Sequence, residues 1–391
     1  MAYIVRISTV LIPLIPSELS LLKTWLRYCP HSGKKRGLLF LSIDQSWCEL
    51  AKKEVADAFS RCSLHREGWR IEFVNCGMTP DESFYIKDAL GKVDLEKYPY
   101  GQKSGPNMQF FRSMRALRHA SREIGAVLLM EVDAFPIMQG WARRIDDKFD
   151  DIRNDILIIG ARYAGTSRMA EQIKMHFNGN AIYFVGRNDF YHFLDCWENL
   201  LISGNKVVPY LAYDIVIPWY INYKISHVRV KALENDETRY LEDCFKGRFF
   251  DSSDYIINYG GQDENDEKYV LDVEGFVKQH PNALIVHGKC FHERIYTIRT
   301  IVKNGARRNL VNIVQDLILN DEYEEAILCG VRDANIVRRL VSRIDKLKSE
   351  QISVVNREWC TEVRGGPGKS DNVINGSFAL ATPPDGGEPE E

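Results

Sequence analysis

Short apolar, β-rich runs alternate with stretches of helical spacing through the first half of the chain. Residues 4–12, "IVRISTVLI", read as a first strand, and "LSLLKTWLRYC" reads as a helix because its apolar positions recur about every 3.6 residues. "GLLFLSI" (37–43) follows as a strand, "WCELAKKEVADAFSRC" as a helix and "WRIEFVNC" (69–76) as a third strand. Strands separated in this way by helical segments predict βαβ-like units, hence an α/β fold with a central sheet flanked by helices.

A polar stretch, "EKYPYGQKSGPN", leads into "MQFFRSMRALRHASREIG", where Phe110, Met114, Leu117 and Ile124 fall at helical spacing. The next apolar run, "AVLLMEVDAFPI", is therefore expected to be a strand, and it carries two acids, Glu131 and Asp133. "DILIIGARY" (155–163) and "NGNAIYFVG" (178–186) continue the β pattern, and "YHFLDCWENLLIS" reads as a helix. "VVPYLAYDIVIPWYINY" mixes aromatic and β-branched residues and fits neither template. Residues 232–282, rich in Asp, Glu, Asn and Gly, read as loops around short elements and close on "ALIVHGKCFHERI", a strand ending in His287, Gly288 and Lys289. Residues 293–349 have helical spacing, and the Gly/Pro-rich acidic tail reads as disordered. The expected organisation is a main domain over 1–295, a helical extension over 296–350 and a disordered tail over 351–391.

Composition narrows the partners. The chain of 391 residues balances 51 basic against 54 acidic side chains, so its charge points to no nucleic-acid partner. Nine cysteines stand singly, without a CxxC pair, which predicts no disulfide framework and a cytoplasmic location. Arg6 and two prolines interrupt the apolar N-terminus, which reads as a strand and not as a signal peptide. No run has the ~18 apolar residues of a transmembrane segment, so work on membrane-linked substrates calls for peripheral membrane contact.

The candidate chemistry sits at strand ends. In an extended segment an i, i+2 pair points to one side, so Glu131 and Asp133 can converge on one ligand, as carboxylates that hold Mg²⁺ or Mn²⁺ do. The alternative is that they cap the strand or pair with an arginine. His287 and Lys289, ending a distant strand, are groups that complete a metal shell and neutralise a phosphate, although a lone histidine also serves structural roles. In "HFNGNAIYF", His176, Asn178 and Asn180 offer donors and acceptors for sugar hydroxyls and Gly179 allows close backbone approach, against the simpler reading of a turn before a buried strand. Tyr210, Tyr213, Trp219 and Tyr220 are either a stacking platform or core.

Taken in order, "VLIPLIP", "LSIDQS", "GPNMQFFRSMRAL", "LLMEVDAFP", "HFNGNAIYFVG" and "VHGK" resemble the GT-A fold glycosyltransferases over residues 4–295. The resemblance implies a mixed central sheet, a nucleotide-sugar donor, a saccharide or glycoconjugate acceptor, and Mn²⁺ or Mg²⁺. It implies Asp133 as the direct metal ligand of a DxD-type motif, with Glu131 in the place of the first aspartate, where metal, water and ribose are all open to it. It further implies His287 as a late metal ligand, Lys289 as a diphosphate contact, and Pro13, Asp44, Asn75 and Asn107 as donor-site residues. If the enzyme inverts, Asp214 is the expected base; its alternative is a helix N-cap. Two other readings stay open. A sugar-phosphate nucleotidyltransferase would need a Gly-rich loop after the first strand, where "IPLIPSELS" has no glycine, and a non-catalytic scaffold would need no metal.

Overall fold

A computed structural model of the chain describes residues 7–86, 93–120, 124–149, 152–153, 155–160, 176–177, 179–250, 253–258, 276 and 278–288. All lie in Met1–Ile295, the first of two units into which the chain divides. The expectations for 293–349 and for the C-terminal tail, and the roles of Asn178 and Lys289, fall outside the described residues.

Four strands run parallel in the order β3 (Arg70–Asn75), β2 (Leu38–Ile43), β1 (Ile7–Pro13), β4 (Ala126–Leu129). A parallel sheet is covered on both faces, which is why β2 and β4 read as almost unbroken apolar runs and are buried along nearly their whole length. The sheet continues through β7 (Ile182–Tyr183), antiparallel to β4, then β6 (Ile158–Ile159) and β8 (Phe249–Phe250). The reversed β7 makes it a mixed sheet, as expected.

The crossovers are helical: α1 (Leu19–Tyr28), α2 (Glu49–Ser60) with the short α3 (Ser63–Arg66), and α4 (Ser104–Ala120). α1 buries Leu22, Trp25 and Leu26 at helical spacing, and Phe110, Phe111, Met114 and Leu117 of α4 enter the main core. Gln109 ties the ends of two strands together, its Nε2 donating to Leu14 O at 3.1 Å and Ser42 O at 2.9 Å. After the short α5 (Trp141–Asp146) come α6 (Phe190–Asn205), α7 (Tyr213–Tyr223), α8 (Val228–Lys231) and α9 (Asp236–Arg248). Trp197 of α6 is fully buried among Phe110, Phe111, Phe177 and Phe193. Truncating such a residue to alanine costs about 3–5 kcal/mol.

A second, three-stranded sheet has the order β5 (Ala134–Pro136), β10 (Ile285–His287), β9 (Ile256–Asn258). Two expectations need correction here. The run 127–137 is not one strand: β4 ends at Leu129, and the chain turns through Met130–Asp133 before β5 enters the other sheet. Residues 236–248, read as loop, form α9, whose Asp236 and Glu237 open it and whose Lys246 and Arg248 close it, the arrangement that complements a helix dipole. The unassigned stretch around Tyr213 is α7, apolar on most sides and carrying Pro218 inside the helix, so it shows no amphipathic stripe. Tyr213, Trp219 and Tyr220 are core, and only Tyr210 is exposed. Among the described residues no helix is long and apolar enough to cross a membrane.

Candidate metal and donor site

In open α/β sheets ligands bind beyond the carboxyl ends of the strands. Pro13 and Asn75 end β1 and β3, Asp44 follows β2, and Glu131 lies two residues past β4, so the four residues share that edge. Asp44 is buried, its Oδ1 accepting the Ser46 N–H at 2.9 Å together with the Ser46 hydroxyl. Asn75 is exposed and accepts the Gly77 N–H at 2.8 Å. Both are side-chain-closed turns that shape the rim. Pro13 is half-buried.

The two acids converge because the backbone turns, not because a strand is pleated. Met130 still donates to Leu11 O at 3.0 Å, and Ala134 N–H returns to Glu131 O at 2.9 Å, closing a turn over residues 131–134. Trp25 Nε1 of α1 pins the Ala134 carbonyl at 2.8 Å. Ala134 pairs antiparallel with His287, which brings a histidine from the end of β10 against the turn. Its Nε2 lies 3.0 Å from Glu131 Oε2 and 3.3 Å from Asp133 Oδ1. One ligand atom from each of Glu131, Asp133 and His287 falls within 4.8 Å of the others. Burial alone would lower the His287 pKa, but hydrogen bonding and charge from Asp133, then from Glu131, override it and push it up to about 10.

These residues fit a divalent cation. Two carboxylates supply hard oxygen donors, and an imidazole is a better ligand for Mn²⁺ than for Mg²⁺, which keeps to oxygen and water. The surrounding contacts hold the ligands in place. Asn180 Oδ1 accepts the Glu131 N–H at 2.6 Å and its Nδ2 donates to Glu131 Oε2 at 3.1 Å. On the far side of the imidazole, His287 Nδ1 lies 2.8 Å from Asn258 Oδ1.

Asp214 stands in the first turn of α7, behind the N-cap Ala212, so it is not itself the cap. Its Oδ2 is 3.9 Å from His176 Nε2. Burial raises its pKa, the His176 and Lys103 charges pull it back, and Glu131 pushes it up again.

Four residues expected at the donor and acceptor sites make other contacts in the fold. Asn107 is fully buried, its Nδ2 donating to Tyr100 O and Leu211 O and its Oδ1 accepting the Tyr213 N–H, so it fastens α4 to the start of α7. Asn180 is buried and hydrogen-bonds the Glu131 backbone and carboxylate. His176 is buried beside Asp214. Gly179 is a packing requirement: a Cβ there would stand 1.8 Å from the Tyr213 hydroxyl.

Two residues near the cluster escaped the sequence reading. Asn258 carries only the signal of a polar residue ending the apolar "YIIN". Glu18 follows the strand-end prolines and accepts the Ile15 N–H at 3.1 Å. Burial above all, with Asp133 and Glu131 adding to it, pushes its pKa up to about 7.

No family model matches the sequence, and no curated protein matches it. Solved structures similar to it include the apo form of mouse xyloside xylosyltransferase 1, at 14% identity over 72% of this chain and 97% of that one, with a TM-score of 0.39. An active-site mutant of LgtC is similar at 12% identity over 74% of this chain and 94% of that one, with a TM-score of 0.40. A cytidylyltransferase from Leptospira borgpetersenii covers 81% of this chain and 96% of its own at 10% identity, with a TM-score of 0.26. The mixed sheet flanked by helices and the chemistry of the site stand on this chain's own residues.

Proposed function

We propose that this chain is a metal-dependent glycosyltransferase that moves a sugar from a nucleotide-diphosphate donor to a saccharide or glycoconjugate acceptor. The observation that carries the reading is the convergence of Glu131, Asp133 and His287 at the carboxyl edge of the parallel strands. Asp133 and His287 would hold the cation, and Asn180 fixes the Glu131 carboxylate beside them. A divalent cation there supplies positive charge against the negative charge that develops on the leaving nucleoside diphosphate. The rim at Pro13, Asp44 and Asn75 receives the nucleoside, and Lys289 follows His287 in sequence as a diphosphate partner.

Asp214 takes the proton of the acceptor hydroxyl in an inverting transfer. Its burial favours this role, because a carboxylate whose proton affinity is raised is a better base at neutral pH. The His176 and Lys103 charges oppose that rise without cancelling it. The cytoplasmic location and the peripheral route to membrane-linked acceptors belong to the same proposal.

The test is a panel of nucleotide-diphosphate sugars with Mn²⁺, reading release of the nucleoside diphosphate with and without acceptor. Metal-dependent release by the wild-type chain and none by Asp133→Ala is expected. Equal release by both forms sinks the metal site, and no release by either favours a scaffold.

A further inference from the structure

We infer that Asn258 is a positioning residue for the cation site, holding His287 in the tautomer and ring orientation that present Nε2 to the metal. This rests on the metal reading of Glu131, Asp133 and His287. β9 and β10 pair in parallel with Asn258 opposite His287, so the two side chains leave the same face of the small sheet. An amide oxygen only accepts, and Asn258 Oδ1 lies 2.8 Å from Nδ1, so the hydrogen sits on Nδ1.

A neutral imidazole carries one hydrogen, and where it sits decides whether the ring can ligate. Two carboxylates at 3.0 and 3.3 Å from Nε2 attract a hydrogen to that nitrogen, which is the tautomer that cannot bind a cation there. Asn258 opposes that pull from the other side of the ring. Histidine ligands of metals are commonly held in this way through their second nitrogen.

A second observation points to the same role. Asn258 is 1% exposed, and its Nδ2 is buried with no hydrogen-bond partner among the described residues. A side chain serving packing alone would be apolar at this depth, since an unpaired buried donor is unfavourable. Half of the amide goes unsatisfied while the other half holds His287.

The experiment is calorimetric titration of Mn²⁺ alone into the full chain, comparing wild type with Asn258→Leu, Asn258→Ser and Asn258→Asp. Leucine matches the shape but accepts nothing, and serine is too short to reach Nδ1. Both should weaken Mn²⁺ binding about 10–100-fold. The carboxylate introduced by Asn258→Asp accepts the same hydrogen, so that variant should stay within a few-fold of wild type or bind more tightly. Melting temperatures without metal check that each variant folds, and if one fails to fold the other two decide. Unchanged affinity in the leucine and serine variants overturns the inference while sparing the metal site. A wild-type chain that takes up no Mn²⁺ overturns both.

Discussion

His287 and Ala134 are paired across β10 and β5, and this pairing, not proximity in sequence, brings an imidazole against the turn that holds Glu131 and Asp133. The turn joins two sheets: the backbone before it belongs to the parallel strands and the backbone after it to the small sheet. A ligand set built across such a junction depends on both sheets keeping their register.

Removing one carboxylate tests the set directly. Asp133→Ala should weaken Mn²⁺ binding by more than about 100-fold, because changes outside the ligand shell already cost 10–100-fold. Isothermal titration checks it. The variant should fold, since the Ala134 N–H bond to Glu131 O and the Trp25 bond to Ala134 O do not involve the deleted side chain. Binding at the wild-type level would mean that the cation, if any, sits elsewhere.

The pH dependence follows from the raised His287 pKa of about 10. At pH 7 the metal-free imidazole is protonated and must lose that proton to ligate, so Mn²⁺ affinity should rise about tenfold per pH unit between 7 and 9. The sign for stability is opposite. A histidine whose folded pKa exceeds its unfolded value of about 6.5 contributes stability that is complete below 6.5 and lost as pH rises through 10. The metal-free protein should therefore melt lower as pH rises across that window, and His287→Gln should flatten this component of the slope.

Glu18 tests the charge around the cluster in a different range. Its pKa is raised from 4.5 to about 7 by burial and by the charges of Asp133 and Glu131. The neutral form is the one the fold prefers, so its contribution is complete below pH 4.5 and lost as pH rises through 7. Glu18→Gln should raise the metal-free melting temperature at pH 8 relative to wild type and leave it nearly unchanged at pH 4. Equal shifts at the two pH values would show that the carboxyl titrates normally.

The parallel half of the fold was legible because β1, β2 and β3 and their helices each keep one period, and Leu22, Trp25 and Leu26 of α1 mark its buried stripe. The break in "VLLMEVDAFPI" was not, because apolar residues flank the acids on both sides and nothing local says that the two halves join different sheets. α7 was hidden for a related reason: buried nearly all round and interrupted by Pro218, it has no polar face to set a period. Glu131, Asp133 and His287 could be singled out as a candidate set because each ends an apolar run, but only the pairing of β5 with β10 brings them together. The contacts of Asn180 and Asn258 could not, since amides bond to whatever long-range pairing sets beside them, here Glu131 and His287.

Gly179 gives a stability prediction with an internal control. A Cβ at this position meets the Tyr213 hydroxyl at 1.8 Å and the ring carbon bearing it at 2.8 Å. Tyr213 cannot easily yield, because its ring stacks on Phe110 with centroids 4.0 Å apart and its carbonyl accepts the Trp197 indole N–H. Gly179→Ala should cost about 1–3 kcal/mol, the usual range for overpacking, read by denaturant unfolding. Adding Tyr213→Phe removes the worst contact and should restore part of the loss.

Asp214→Asn separates catalysis from binding. The amide keeps the shape of the carboxylate at the first turn of α7 but cannot take a proton, and the lost helix-dipole interaction is worth only about 0.3–1 kcal/mol. If Asp214 is the base, turnover should fall about 10²–10⁴-fold. Affinity for the nucleoside diphosphate with Mn²⁺ should stay within a few-fold, because the metal ligands and the strand-end rim are untouched. Measuring kcat beside the donor dissociation constant distinguishes this from general damage, which would lower both. A normal kcat would remove Asp214 from the chemistry and leave its 3.9 Å approach to His176 as a structural contact beneath the site.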